Sequence, residues 1–157
     1  MQYDRIVEAA IESQAETVFD DPLLEITAAA NVFIDILEIT IGPHEGATAP
    51  NPTPYAFYTA TAAGTGGAAV TEVLVRGKGT IGGVALSGLT APSATGYREF
   101  PQGAIPWEIG VNHLWIPEAR FEVIGGGQDF FGIVYLANPS ATPTSTVKIT
   151  WGERTAT

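Results

Sequence analysis

Hydrophobic and polar residues alternate singly along much of this chain, and the alternation sharpens toward its end. Phe131, Ile133 and Tyr135 fall on one side of a run whose other side holds Phe130, Gly132, Val134 and Leu136. Further on, Val147, Ile149 and Trp151 oppose Lys148, Thr150 and Gly152. A period of two belongs to an extended strand, because successive side chains leave opposite faces. Before these runs stands another, Arg120 to Ile124, followed by the tip Gly125-Gly126-Gly127-Gln128. Two β-rich runs split by glycines predict strand-turn-strand. The stretch from Arg120 to Glu153 therefore reads as one long β-hairpin: strands over 120–124 and 129–137, a Pro/Ser/Thr corner, and a closing strand over 146–153.

The earlier chain repeats the pattern. Val7, Ala9 and Ile11 alternate with Glu8, Ala10 and Glu12. Glu and Ala permit a short helix, but the alternation and the missing caps favour a strand. A second short strand is expected over Leu24 to Thr27. A longer one covers Val32 to Ile41, with Phe33, Leu37, Ile39 and Ile41 on one face. Asp35 is the odd residue of that face, expected near an end or at a subunit contact. Residues 42–54 hold four prolines and no period, the mark of a long, functional or mobile loop. Strands follow over 55–61, 70–76 and 81–86, then an irregular stretch from Gly88 to Gln102 bearing Tyr97, Arg98, Glu99 and Phe100. Short strands are expected over 105–109 and 113–116. About ten strands, with no heptad, no internal repeat and no amphipathic helix beyond two turns, predict an all-β fold. The expected architecture is a single-domain, jelly-roll-like antiparallel β-sandwich over 1–157, with a short N-terminal arm at 1–5 and a C-terminal tail at 154–157.

Composition narrows what such a sandwich does. The chain of 157 residues is long enough for one core, and 45% hydrophobic with 15% charged residues argues against disorder. Its 18 Gly and 11 Pro follow no collagen period and sit between apolar runs, where they end strands. Seven Lys and Arg against 17 Asp and Glu give a net charge of −10, which repels phosphate and disfavours nucleic acid as a partner. The same balance suits solubility or a basic protein partner. With no cysteine there is neither a disulfide framework nor a thiolate metal site. The opening Met1-Gln2-Tyr3-Asp4-Arg5 lacks the plan of a signal segment, and no apolar run approaches a membrane span. Both Asn-X-Ser/Thr matches, at Asn51 and Asn138, carry a central proline that vetoes glycosylation.

Each chemical motif has a plainer structural account. Gly77-Lys78-Gly79-Thr80-Ile81-Gly82 matches the dinucleotide pattern, but that pattern needs a helix whose N-terminus faces pyrophosphate. Here strand-like residues and Pro92 follow, so a hairpin turn is expected. His44 and His113 have no partner at ligand spacing. No nucleophile elbow appears. Glu99 and Glu108 are a conceivable glycosidase pair, one such pair among many in an acidic chain. Trp107, Trp115, Tyr97 and Tyr135 can form a sugar platform, although their alternation with polar residues fits core or interface packing better. No catalytic, cofactor-binding or metal-binding residue is assigned, and partner-binding residues stay unassigned.

Several strand ends and turns carry a resemblance. They are Ile39-Thr40-Ile41-Gly42, Thr65-Gly66-Gly67, Trp107-Glu108 and Leu114-Trp115-Ile116-Pro117-Glu118. Val123-Ile124-Gly125-Gly126-Gly127, Tyr135-Leu136-Ala137-Asn138-Pro139-Ser140 and Val147-Lys148-Ile149-Thr150-Trp151-Gly152-Glu153 complete the set. In this layout, over most of residues 5–153, the chain resembles small jelly-roll virion structural proteins of tailed bacteriophages. The loop from Gly42 to Tyr55 departs from that layout, being shorter and richer in proline, so no partner contact is carried over there. The resemblance implies a non-enzymatic capsid decoration or cement protein, made in the host cytoplasm and bound to the outside of the major capsid protein shell. It also implies a homo-oligomer, a trimer foremost, with no cofactor, no nucleic acid and no membrane. The alternatives are a receptor-binding or carbohydrate-binding module, using residues 88–102 and the tryptophans, a tail or connector component, and a β-sandwich hydrolase or lyase.

Overall fold

The computed structural model describes residues 3–15, 21–43, 52–106, 109–115, 120–126, 129–137 and 144–155. Among these lie twelve strands: β1 (Arg5–Ala15), β2 (Pro22–Ala28), β3 (Val32–Pro43), β4 (Thr53–Ala60), β5 (Thr65–Ala69), β6 (Glu72–Gly77), β7 (Gly83–Ala91), β8 (Arg98–Ile105), β9 (Val111–Leu114), β10 (Glu122–Ile124), β11 (Phe130–Tyr135) and β12 (Thr144–Thr155). They form two six-stranded sheets. The first runs β10-β3-β12-β1-β6, with β9 also paired to β3; the second runs β5-β7-β2-β11-β4-β8. Every pairing is antiparallel.

The order has a simple reading when β5, β6 and β7 are set aside and β9 and β10 share one place. The remaining strands then number eight, in the orders 1-8-3-6 and 2-7-4-5, which is a jelly roll. β5 to β7 form an excursion between the fourth and fifth places that widens both sheets on one side. The expected all-β sandwich is therefore present. Its core is the inward face of both sheets, where Val7, Ile34, Ile36, Ile39, Ile41, Phe57, Phe131, Ile133, Val147, Ile149 and Trp151 are buried together. Branched and aromatic side chains suit such a pleated, two-sided interior, and each full burial contributes about 1.5–3 kcal/mol.

The long hairpin over 120–153 does not exist. β10 pairs with β3 in the first sheet, β11 lies between β2 and β4 in the second, and β12 returns to the first between β3 and β1. The glycines after Ile124 are a crossing between sheets rather than a turn back. Gly125 and Gly126 donate their backbone N–H groups to Val32 and Ala28, at 2.9 and 3.0 Å. A Cβ on Gly125 would collide with the carbonyl oxygens of Ala29 and Val32. The crossing thus lies directly on the turn that carries β2 into β3. Phe130, Val134 and their neighbours explain why β11 has no polar side. Its outward face packs a second buried cluster with Ala56, Tyr58 and Ala60 under Tyr97 and Leu136.

The face assigned to β3 also changes along its length. Ile34 and Ile36 point inward, as do Ile39 and Ile41, while Phe33 and Asp35 lie on the outer side. Thr150 pairs with Glu38 but Trp151 pairs with Ile36, so Leu37 is an extra residue at a bulge. A bulge reverses parity, and one alternation cannot describe both halves. The irregular stretch expected over 88–102 shrinks to 92–97, because β7 continues to Ala91 and β8 begins at Arg98. The strand expected over 70–76 is β6 in the first sheet, and it is preceded by β5 in the second sheet, which the sequence did not indicate. Pro106, Ile109 and Gly110 lie outside any strand, the Pro106 carbonyl accepting from the N–H groups of Ile109 and Gly110. Most of the loop 42–54, together with His44, Trp107, Glu108 and Ile116, lies outside the described residues.

Candidate functional site at the aromatic edge

At one open edge of the sandwich β8 faces β9 and β10, and aromatic side chains fill the gap between the sheets. β4 sends Tyr55 and Phe57 inward; β9 and the residue after it send His113 and Trp115; Phe121 precedes β10, and Phe131 comes from β11. Phe57 is at the centre, with ring centroids 5.0 Å from His113, 5.3 Å from Trp115 and 5.6 Å from Phe131. Trp115 stacks on His113 at 22°, and Phe121 meets Phe131 at 4.9 Å and Phe100 of β8 at 5.2 Å. Each such pair adds about 0.5–1.5 kcal/mol beyond burial. The cluster therefore clamps three short edge segments onto the core.

One hydrogen bond crosses the clamp. Burial pushes the Tyr55 hydroxyl up to about 12, so it keeps its proton, and burial lowers His113 below its ordinary value. The neutral imidazole and the Tyr55 hydroxyl share a hydrogen bond at Nε2. His113, which stands alone in the sequence, is a satisfied histidine that ties β9 in one sheet to β4 in the other. Outside the cluster the edge is apolar as well: Leu114 and Ile109 are 79% and 82% exposed.

Elsewhere the buried ionisable groups are held by the framework. Glu153 accepts from Arg5 Nε at 2.7 Å, Trp151 Nε1 at 3.0 Å, and the backbone N–H groups of Gly82 and Gly83 at 3.1 and 2.7 Å. The glycine stretch that matches a dinucleotide loop therefore does cradle an anion, but the anion is the chain's own carboxylate. No helix follows it, and it links β6 to β7 across the sheets instead of forming a hairpin turn. A Cβ on Gly83 would lie 2.8 Å from the Trp151 indole, which leaves no room for a side chain. On the outer face of the second sheet Glu25 accepts from the Tyr58 hydroxyl at 2.6 Å and from Gly64 N–H at 3.0 Å. On the outer face of the first, Asp35 accepts from Arg154 at 3.1 Å, and Arg154 also reaches Glu122 at 2.6 Å. Arg120 donates to the Tyr3 hydroxyl there, and burial together with Asp35 pushes that hydroxyl up.

The remaining residues singled out by the sequence scatter. Tyr135 is buried in the core, Trp151 likewise, and Tyr97 stacks on Tyr58 at 5.3 Å while donating to Glu99 at 3.1 Å. These faces are committed to protein contacts, so no sugar platform forms from them. Among the described residues no three His, Asp or Glu side chains converge as a metal site needs. Among the described residues, one cavity of about 410 Å³ lies beside Pro92, Ser93 and Tyr97, and another of about 320 Å³ is lined by Thr59, Thr61, Arg98 and Asp129. Comparison with family models, curated proteins and solved structures returns no match.

Proposed function

We propose that this chain is a non-enzymatic structural protein of a bacteriophage particle, a decoration or cement protein bound to the outside of the major capsid shell as a homo-oligomer, foremost a trimer. The strand order carries this reading, since jelly rolls of this order recur in viral shells. A fold alone does not specify function, and the sequence resemblance to phage virion proteins supplies the second support. The acidic balance of −10 adds a third, because it complements a basic shell surface and hastens docking. Glu25, Asp35, Glu153 and His113 each make a hydrogen bond that joins separate segments of the framework, in keeping with a rigid cement piece. Immunogold labelling of purified particles with an antibody to this chain tests the reading. Gold on the capsid surface is expected. Gold confined to the tail moves the protein to a tail or connector role, and unlabelled particles end the virion reading.

A second reading rests on the cavity of about 320 Å³, whose lining includes Arg98, Asp129, Thr59 and Thr61. A cation, an anion and two hydroxyls around one hollow match the groups that orient a sugar. Glycan-array binding lost in Arg98→Ala would establish a carbohydrate-binding module in place of cement.

A further inference from the structure

Every sheet edge invites another strand, and most edges here are blunted against it. β6 has a bulge at Val75 and then Arg76. β5 is broken by Gly66 and Gly67, both at positive φ. β8 contains Pro101 and an irregularity where Gln102 has no partner on β4. β10 is only three residues long and ends in the Gly125 crossing. β9 differs from all of these, because it pairs with β3 in unbroken register from Val111↔Ile41 to Leu114↔Glu38 and carries neither proline, lysine nor bulge.

Its hydrogen-bond phase fixes which groups are free. Trp115 N–H donates to the Leu37 carbonyl at 3.1 Å. In an antiparallel ladder alternate residues bond to the partner, so His113 and Val111 also face β3. The backbone groups of Asn112 and Leu114 then face outward from the sheet. The Leu114 side chain is 79% exposed, and Ile109 in the turn before the strand is 82% exposed. Behind the strand, His113 and Trp115 anchor it in the aromatic cluster, so the acceptor edge is rigid before anything binds.

We infer that the free edge of β9 accepts an extended strand from a basic protein partner, one with apolar side chains at alternate positions and lysine or arginine between them. Backbone hydrogen bonds supply affinity in such strand addition, and alternate side chains supply selectivity. An apolar residue of the incoming strand lies across from Leu114 and shields it. Charge identifies the partner. Among the described residues, Glu38 on β3 lies opposite β9 with no cation paired to it, β9 itself carries no Lys or Arg, and the chain has a net charge of −10, whereas Asp35 and Glu122 are already paired with Arg154. A second copy of the same edge brings the same charges and is repelled. This inference deepens the capsid reading and rests on it for the source of the strand, the shell protein.

Asn112→Pro is the discriminating variant. Its N–H points away from β3, so proline removes an outward donor and leaves the backbone pairing to β3 whole, giving up only the exposed Asn112 Nδ2 bond to Glu38 at 2.9 Å. Leu114→Lys removes the exposed apolar contact at a site too open to affect folding. The expected result is that undecorated shells bind the wild-type chain and bind both variants about tenfold or more weakly, the loss of one or two such contacts. Leu114→Lys should keep the wild-type melting temperature, Asn112→Pro should lower it only by the one exposed bond to Glu38, and added salt should weaken wild-type binding. A synthetic eight-residue peptide of alternating valine and lysine provides a probe free of any phage. Slowed hydrogen exchange at Asn112 and Leu114 with that peptide supports the edge even where shells do not bind, in which case only the capsid reading falls. Shell binding unchanged in both variants overturns the edge and leaves the capsid reading standing. No protection by the peptide, together with no shell binding, overturns both. An oligomer that Asn112→Pro converts to monomer assigns the edge to a second copy and overturns the basic partner.

Discussion

At the scale of single residues, the most informative atoms are those of Glu153. Its carboxylate joins β12 to β1 through Arg5 and to the β6–β7 link through Gly82 and Gly83, and it also receives the Trp151 N–H. Glu153 is fully buried, and its cost of desolvation is offset only while all four donors are in place. Glu153→Gln exchanges a charge-assisted acceptor for an amide that faces Arg5 with a donor, and it is expected to destabilise by about 3 kcal/mol. The urea midpoint measures this, and a change below about 0.5 kcal/mol would show that the cradle does not hold the link. His113 makes a pH prediction. Its folded value is lowered from 6.5 by burial, so between the two values the unfolded chain binds the proton that the folded chain refuses. The stabilising contribution is complete above the unfolded value and is lost as pH falls through the folded one. Wild type should therefore lose more melting temperature than His113→Phe between about pH 7 and 5, a difference that sets aside the carboxylates both proteins share. Equal losses would place the protonation elsewhere.

Elements obey rules that individual residues do not announce. Strand identity was readable in most places, because alternation runs through β1 and β12 and prolines stand at the starts of β2 and β4. Pairing was not readable. The glycine tip after Ile124 resembles a hairpin turn in sequence, yet it is a place where two sheet crossings touch, and only the closeness of Ala29 and Val32 reveals it. Gly125→Ala is expected to destabilise by more than about 2 kcal/mol, because the clash is with backbone that cannot move aside. Gly88→Ala offers the contrast. Its φ is +66° but open space surrounds it, so only the cost of a left-handed L-residue remains, about 1–2 kcal/mol. Thermal unfolding of the two variants side by side checks the order, and the reverse order would remove the crossing from the account. The bulge at Leu37 makes the same point for faces. No local signal in Val32 to Ile41 marks which residue is extra, since the bulge is selected by the register of β12 on one side and β9 on the other.

The whole molecule is an acidic sandwich, widened on one side by β5 to β7 and closed on the other by aromatic rings. On the side away from β9, Val73 and Val75 of β6 are exposed apolar residues, each 58% accessible. Such residues on an all-β domain lead to the expectation of a homo-oligomer. Light scattering at micromolar concentration should return a multiple of the 16.5 kDa chain mass, and a mass of 16.5 kDa itself would count against assembly. Of the candidate site, His113 and Trp115 were visible as residues but not as partners. Tyr55, 58 residues away in the chain, meets His113 only because β4 and β9 lie on facing sheets. No spacing rule spans that distance.

The sequence by itself determined the fold class, the length and place of most strands, and the acidic character, because alternation, turn residues and charge are local properties. Even the buried end of the last run, with Trp151 inside, followed from alternation alone. Tertiary structure decided which strands are neighbours, where β3 changes face, that the glycine stretch before Gly83 holds Glu153, and that β9 leaves an edge free. Each of these depends on contacts between residues far apart in the chain, and such contacts are chosen by the competition of whole sheets for one core rather than by any segment's own preference.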